Sequence, residues 1–192
     1  LAEPLVHRLG HAEVDHFWRR PAVLHRHQHI CRLDVAVDDP LLVRMLDRST
    51  NLGEQRLALF NAAAAVWGAF LDSSVGIQVR AQFDPLSPCS PVGGVLGSAG
   101  AVTIHRDFTN AEYPGTWYHI ALANKRAGSD LSGGPDLNTT FNSSVDQGCL
   151  GAGTHFYYGL DNATPPGTIN LFIVLLHELG HGLGFSSFTN GT

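Results

Sequence analysis

His177, Glu178 and His181 stand in the order His-Glu-x-x-His within the run Leu175-Leu176-His177-Glu178-Leu179-Gly180-His181-Gly182-Leu183-Gly184-Phe185. On a helix, side chains four apart project from one face, a turn above each other, so the two imidazoles can share one Zn²⁺. A carboxylate directly after the first histidine is placed to take a proton from a metal-activated water and return it to a leaving amine. Zinc lowers the pKa of such a water to about 7 and polarises a scissile carbonyl, which suits peptide-bond hydrolysis at neutral pH. The spacing therefore predicts His177 and His181 as metal ligands, Glu178 as general base and Zn²⁺ as cofactor. The competing reading is two core histidines bonded to carbonyls, with Glu178 at a solvated helix end. Leu171, Phe172, Val174, Leu175 and Leu176 frame a buried helix, where two histidines and a glutamate without partners would be costly, and this favours the metal.

Such a helix must be held by others. Pro165-Pro166-Gly167 punctuates the chain, and Thr168 is placed to cap a final helix from Ile169 to about Leu183. Asn51 followed by Glu54 reads as a capping box, opening a helix through Asp72 with Leu52, Leu59, Phe60, Ala63, Trp67, Phe70 and Leu71 at helical spacing. Val75, Ile77, Val79, Ala81 and Phe83 alternate as a half-buried strand ended by Asp84-Pro85. Ser87 to Gly100 reads as a turn-rich loop, since its glycines do not form a phosphate-binding GxGxxG. Short strands are expected over 101–105, 137–141 and 156–158. Trp117 to Arg126 reads as a strand end leading into a short helix that stops at Gly128. The order of helix, strands and helix predicts an α+β fold, a twisted mixed sheet packed on helices that include the one bearing His177 and His181.

Composition narrows the class. In 192 residues, 44% are hydrophobic and only 15% charged, enough apolar matter for one core and too much for wholesale disorder. The net charge of -5 argues against binding nucleic acid by phosphate neutralisation. The apolar run Leu171 to Leu176 is far too short to span a bilayer. No Lys or Arg follows Arg126, and Ser, Thr, Asn and Gly loops dominate there, a composition that points to export. Cys89 and Cys149 can pair in an oxidising compartment; three free thiols, with Cys31, is the equal alternative.

The stretch His177 to Phe185 resembles the active-site helix of zincin metallopeptidases, with Gly184 where metzincins turn the chain. A wider pattern, from the helix at Asn51 through Trp117-Tyr118, Ala121-Leu122-Ala123-Asn124, Phe141-Asn142-Ser143 and Tyr158-Gly159-Leu160-Asp161, is similar to secreted bacterial metallopeptidase-like proteins. The resemblance covers roughly residues 51 to 192. It implies a zincin-like upper subdomain in which a twisted sheet lies over the active-site helix and an edge strand pairs with the substrate backbone. One departure stands out. Metzincins place a third ligand, His or Asp, six residues after the second histidine, and here that residue is Ser187, a poor zinc ligand. The third ligand is then expected beyond Thr192 or upstream, from His155, Asp161, His119 or His105.

On this reading residues 1–48 form an N-terminal extension or pro-segment, and residues 49–192 a zincin-like catalytic domain that is C-terminally incomplete. The expected function is zinc-dependent endopeptidase action on peptide or protein substrates by a secreted protein; the alternative is a non-catalytic or truncated metal-binding or interaction module. Of the 11 histidines, six lie in the first 29 residues. His25, His27 and His29 would share one strand face, yet flanking Arg26 and Arg32 make that stretch read as solvated, and His7, His11 and His16 read as surface residues. Phe17-Trp18-Arg19-Arg20 reads as a docking element, too short for a membrane anchor. Asn138, Asn142, Asn162 and Asn190 each open an Asn-x-Ser/Thr triplet. Asp161 with Asn162, and Asp146 and Asp136, offer oxygens for a Ca²⁺ but without EF-hand spacing, so loop solvation is the default reading.

Overall fold

A computed structural model describes residues 33–34 and 50–186. The elements in chain order are β1 (Leu33–Asp34), α1 (Thr50–Phe70), β2 (Ile77–Asp84), β3 (Cys89–Ser90), β4 (Gly93–Gly94), β5 (Gly97–Ala101), β6 (Ile104–His105) and β7 (Tyr118–His119). They continue with α2 (Ile120–Ala127), β8 (Leu137–Asn142), a 3₁₀ turn (Ser143–Gln147), β9 (Phe156–Tyr157), β10 (Ile169–Asn170) and α3 (Leu171–Leu183). The fold is α+β. Its principal sheet has the order β1-β2-β8-β5, with β1, β2 and β8 parallel and β5 antiparallel at the edge. Short two-stranded ladders join β3 to β4, β6 to β7 and β9 to β10.

Alternation in β2 decides which face of the sheet is dry. Ile77, Val79, Ala81 and Phe83 are buried while Gln78 and Arg80 are exposed, so a period of two sorts the strand into a core face and a solvated face. Leu137, Thr139 and Phe141 continue the dry face on β8. Leu59, Phe60 and Ala63 of α1 and Leu171, Leu175 and Leu179 of α3 pack against it in one cluster. At its centre Phe60 meets the Phe141 ring edge-on at 5.3 Å and Phe83 lies 5.5 Å from Phe141. Such ring pairs each add about 0.5–1.5 kcal/mol beyond area burial. The Arg56 guanidinium caps this cluster 4.1 Å over the Phe83 ring and pairs with Asp146 at 3.1 Å. Asp146 also accepts from the Tyr158 hydroxyl at 2.5 Å, and burial, together with that bond, raises the Tyr158 pKa.

Several element boundaries differ from the sequence expectation. α1 starts at Thr50, so Asn51 lies inside its first turn rather than at its cap, and it ends at Phe70, whose ring is exposed. β2 begins at Ile77 rather than Val75. α3 begins at Leu171 with Asn170 as N-cap, its Oδ1 accepting from Ile173 N at 3.2 Å. Thr168 instead donates its hydroxyl to Pro165 O, because Ile169 and Asn170 are taken up by the parallel pairing with Phe156 and Tyr157. The expected 87–100 loop contains the β3–β4 hairpin and most of β5, whereas only Ala101, Ile104 and His105 of the expected 101–105 strand are extended in ladders. The end of α2 and the start of β8 fall where expected, α2 closing on Gly128 in the left-handed region at φ 71° and β8 running one residue further, to Asn142.

Asn142 is the polar hub of the fold. It is fully buried, and its Oδ1 accepts from Leu86 N at 2.9 Å and Ser144 N at 3.0 Å. Its Nδ2 donates to Leu86 O at 3.1 Å and Val95 O at 2.7 Å. The side chain thus ties the exit of β2 and the entry to β5 to the end of β8, so its Asn-x-Ser triplet is structural rather than a surface loop. Asn138 and Asn162 are exposed, and Asn190 lies outside the described residues. Asn142→Ala is expected to lower unfolding free energy by on the order of 3 kcal/mol, since it strands several backbone groups at once. A denaturant midpoint shifted by less than about 0.5 kcal/mol equivalent would contradict the hub assignment.

Among the described residues no helix is long and apolar enough to cross a membrane. Cys89 and Cys149 are joined in a disulfide with Cα atoms 5.6 Å apart. Cys31, the histidines of residues 1–29 and the Phe17–Arg20 cluster lie outside the described residues.

Candidate metal centre

The α3 helix reaches its position because its glycines let neighbours come close. A Cβ on Gly180 would sit 3.3 Å from the Trp67 ring, and one on Gly182 would sit 3.2 Å from the Leu137 methyls. Trp67 Nε1 also donates to Leu176 O at 3.2 Å, tying α1 to the turn that precedes His177. The helix stops at Gly184, whose φ of 110° lies in the left-handed region that favours glycine. Phe185 N then bonds Gly180 O at 3.0 Å and the Phe185 ring stacks on Trp67 at 5.5 Å, a hydrophobically sealed C-terminal cap.

The helix face away from the core carries the two histidines. His177 Nε2 and His181 Nε2 face each other at 2.9 Å, with the rings perpendicular and their centroids 4.5 Å apart. His181 Nδ1 lies 2.8 Å from Phe185 O. A carbonyl oxygen only accepts, so Nδ1 carries the proton and the Nε2 of neutral His181 presents a lone pair toward His177. This is the arrangement in which a ligating imidazole is held by a partner on its other nitrogen. Two nitrogens sharing one tetrahedral ion sit on the order of 3.3 Å apart, so a few tenths of an ångström of opening would let the pair hold such an ion.

Glu178 points the other way around the helix and is 8% exposed. Its side chain packs against the start of β5: a Cβ built on Gly97 would lie 2.9 Å from its Cγ and 3.3 Å from its carboxyl carbon. β5 pairs with β8 on one side only, and its other edge has no strand partner among the described residues. Glu178 thus follows His177 on the helix and lies against the start of a sheet edge strand.

The structure brings together His177 and His181 of the expected site residues, places Glu178 around the helix against Gly97, and leaves the upstream candidates elsewhere. His105 Nε2 contacts the Thr103 hydroxyl at 3.2 Å, and His155 Nδ1 contacts Gly153 O at 2.9 Å. Asp161 accepts from the Tyr157 hydroxyl at 2.5 Å, which holds its carboxyl below the usual carboxylate range. Asp136 accepts from Gln78 N at 2.7 Å and Asn124 Nδ2 at 2.8 Å, and burial raises its pKa. His119 packs on the Gly184 turn, its Nδ1 being 3.5 Å from where a Gly184 Cβ would be. That nitrogen is buried without a hydrogen-bond partner. Among the described residues no group of three or more His, Cys, Asp or Glu side chains is placed to hold one ion, and Ser187 lies outside them.

Sequence reasoning missed Gly97 and the close-approach role of Gly180 and Gly182. The signal for the helix glycines was present, since two glycines inside a helix this apolar cost stability unless a neighbour needs the space. Comparison with protein-family models, curated proteins and solved structures finds no match to this chain.

Proposed function

We propose that this chain is a zincin-like, zinc-dependent endopeptidase domain of a secreted protein, acting on extended segments of peptide or protein substrates. The observation that carries the reading is the facing pair of Nε2 atoms at 2.9 Å, with the His181 ring fixed by Phe185 O and Glu178 adjacent on the same helix. His177 and His181 would hold the ion. When bound, Zn²⁺ supplies an acidified water and an electrophile for the scissile carbonyl. Glu178 takes the proton of the attacking water and delivers it to the departing amine, so it acts first as base and then as acid. The free edge of β5 offers unpaired backbone groups to an extended peptide, which would lie across the helix face as an added strand. The Cys89–Cys149 disulfide supports an oxidising compartment.

A second reading, a non-catalytic metal-binding or interaction module, is favoured by one observation: among the described residues only two ligands converge. Zinc titration of the full chain, followed by metal analysis after dialysis, tests both. The peptidase reading expects about one zinc per chain, with His177→Ala weakening binding by roughly 100-fold or more, together with cleavage of an unstructured protein such as casein. Zinc retention without cleavage selects the non-catalytic module. Zinc uptake that is the same in His177→Ala and the parent removes the metal centre altogether.

A further inference from the structure

We propose that Gly97, at the start of the edge strand β5, is the positioning residue for Glu178; the inference rests on the peptidase reading above. Gly97 pairs in register with Phe141 of β8, and the space a side chain would need there is already occupied from two sides. A Cβ on Gly97 would meet Glu178 Cγ at 2.9 Å and Phe141 Cδ1 at 3.2 Å. The two neighbours differ in what they can yield. Phe141 is 0% exposed and wedged against Phe60 and Phe83, so its ring has nowhere to move. Glu178 lies at the edge of the packed region, and rotation about its side-chain bonds is the cheaper response.

An added methyl therefore swings the Glu178 carboxyl out from under the strand. The bare Gly97 backbone acts as a stop that holds the carboxyl close to β5, where the scissile bond of a strand-paired peptide would pass. Gly97 touches neither ion nor reacting atoms in this arrangement; it acts through Glu178 alone. The glycine is not required by its backbone, because its φ is outside the left-handed region. The reason for its presence is the approach of Glu178 and Phe141.

The test is Gly97→Ala in the zinc-loaded full chain, with Gly134→Ala as control, a glycine of ordinary φ with nothing near its Cβ position. Gly97→Ala is expected to lower kcat for casein cleavage by about tenfold to 100-fold, with KM within twofold and zinc content unchanged. Thermal melts of Gly97→Ala, Glu178→Ala and the double variant supply a readout independent of turnover. Because the clash partner is Glu178 Cγ, the Tm loss from Gly97→Ala should be clearly smaller in the Glu178→Ala background. Parental kcat in Gly97→Ala, or an equal Tm loss in both backgrounds, overturns the proposal. If the parent chain itself cleaves nothing, the peptidase reading falls and Gly97 loses its assignment with it, while relief in the melts would still establish the contact.

Discussion

Glu178→Gln in the zinc-loaded chain is expected to reduce peptide cleavage by about 10²–10⁴-fold while leaving zinc content at the parental level. The substitution keeps the side-chain volume that packs under β5, so the contact with Gly97 survives and the change is confined to proton transfer. Glutamine cannot take a proton from water at neutral pH, and it cannot hand one to an amine. The histidine pair keeps its geometry, because the His181 ring is held by Phe185 O and not by Glu178. Steady-state kinetics and metal analysis on the same preparation separate the two effects. Parental turnover in Glu178→Gln would mean that the proton travels by another route, and the assignment of Glu178 as base would have to be abandoned.

The second large effect concerns stability. Replacing both Cys89 and Cys149 by serine is expected to cost about 4 kcal/mol of unfolding free energy, the loop-closure figure for partners 60 residues apart. The bridge fastens the β3–β4 hairpin to the segment after the 3₁₀ turn, and Leu150 packs close against Gly94 on that hairpin. Two residues beyond the hairpin the chain enters β5, so the bridge also anchors the strand that lies on Glu178. Denaturant unfolding should show the midpoint falling in the serine variant and, equally, in the parent chain treated with a reductant. A reduced parent that unfolds at the oxidised midpoint would show that the bridge contributes nothing to the folded state.

The candidate site was legible in the chain to the extent that its parts are local. His177, Glu178 and His181 are fixed by a helical period and by immediate adjacency, and both survive into the folded geometry. The end of α2 at Gly128 and the alternation of β2 were legible for the same reason, since a left-handed glycine and a two-residue period are properties of a short stretch. β5 was not. Its residues Gly97-Ser98-Ala99-Gly100-Ala101 have weak strand preference and form a strand because β8 hydrogen-bonds them into one. The helix cap slipped from Thr168 to Asn170 because a two-residue ladder with β9 claimed Ile169 and Asn170, a contact between segments that no local pattern announces. Asn142 read as one of four similar triplets until its four backbone partners were in view. Any third ligand would be illegible for the same reason: ligand sets are closed by spatial neighbours, and spacing along the chain identifies only those that share a helix.

The bond from His181 Nδ1 to Phe185 O has a consequence for how tolerance to substitution would be distributed along this chain. The carbonyl that orients the ring belongs to the turn built on Gly184, whose φ of 110° excludes most side chains. In a scan of all single substitutions selected for zinc retention, position 184 would be as intolerant as the ligands, although its own atoms need never touch the ion. Such a map would draw the metal centre one turn longer than its coordination chemistry, and the extra turn would mark the orientation of an imidazole.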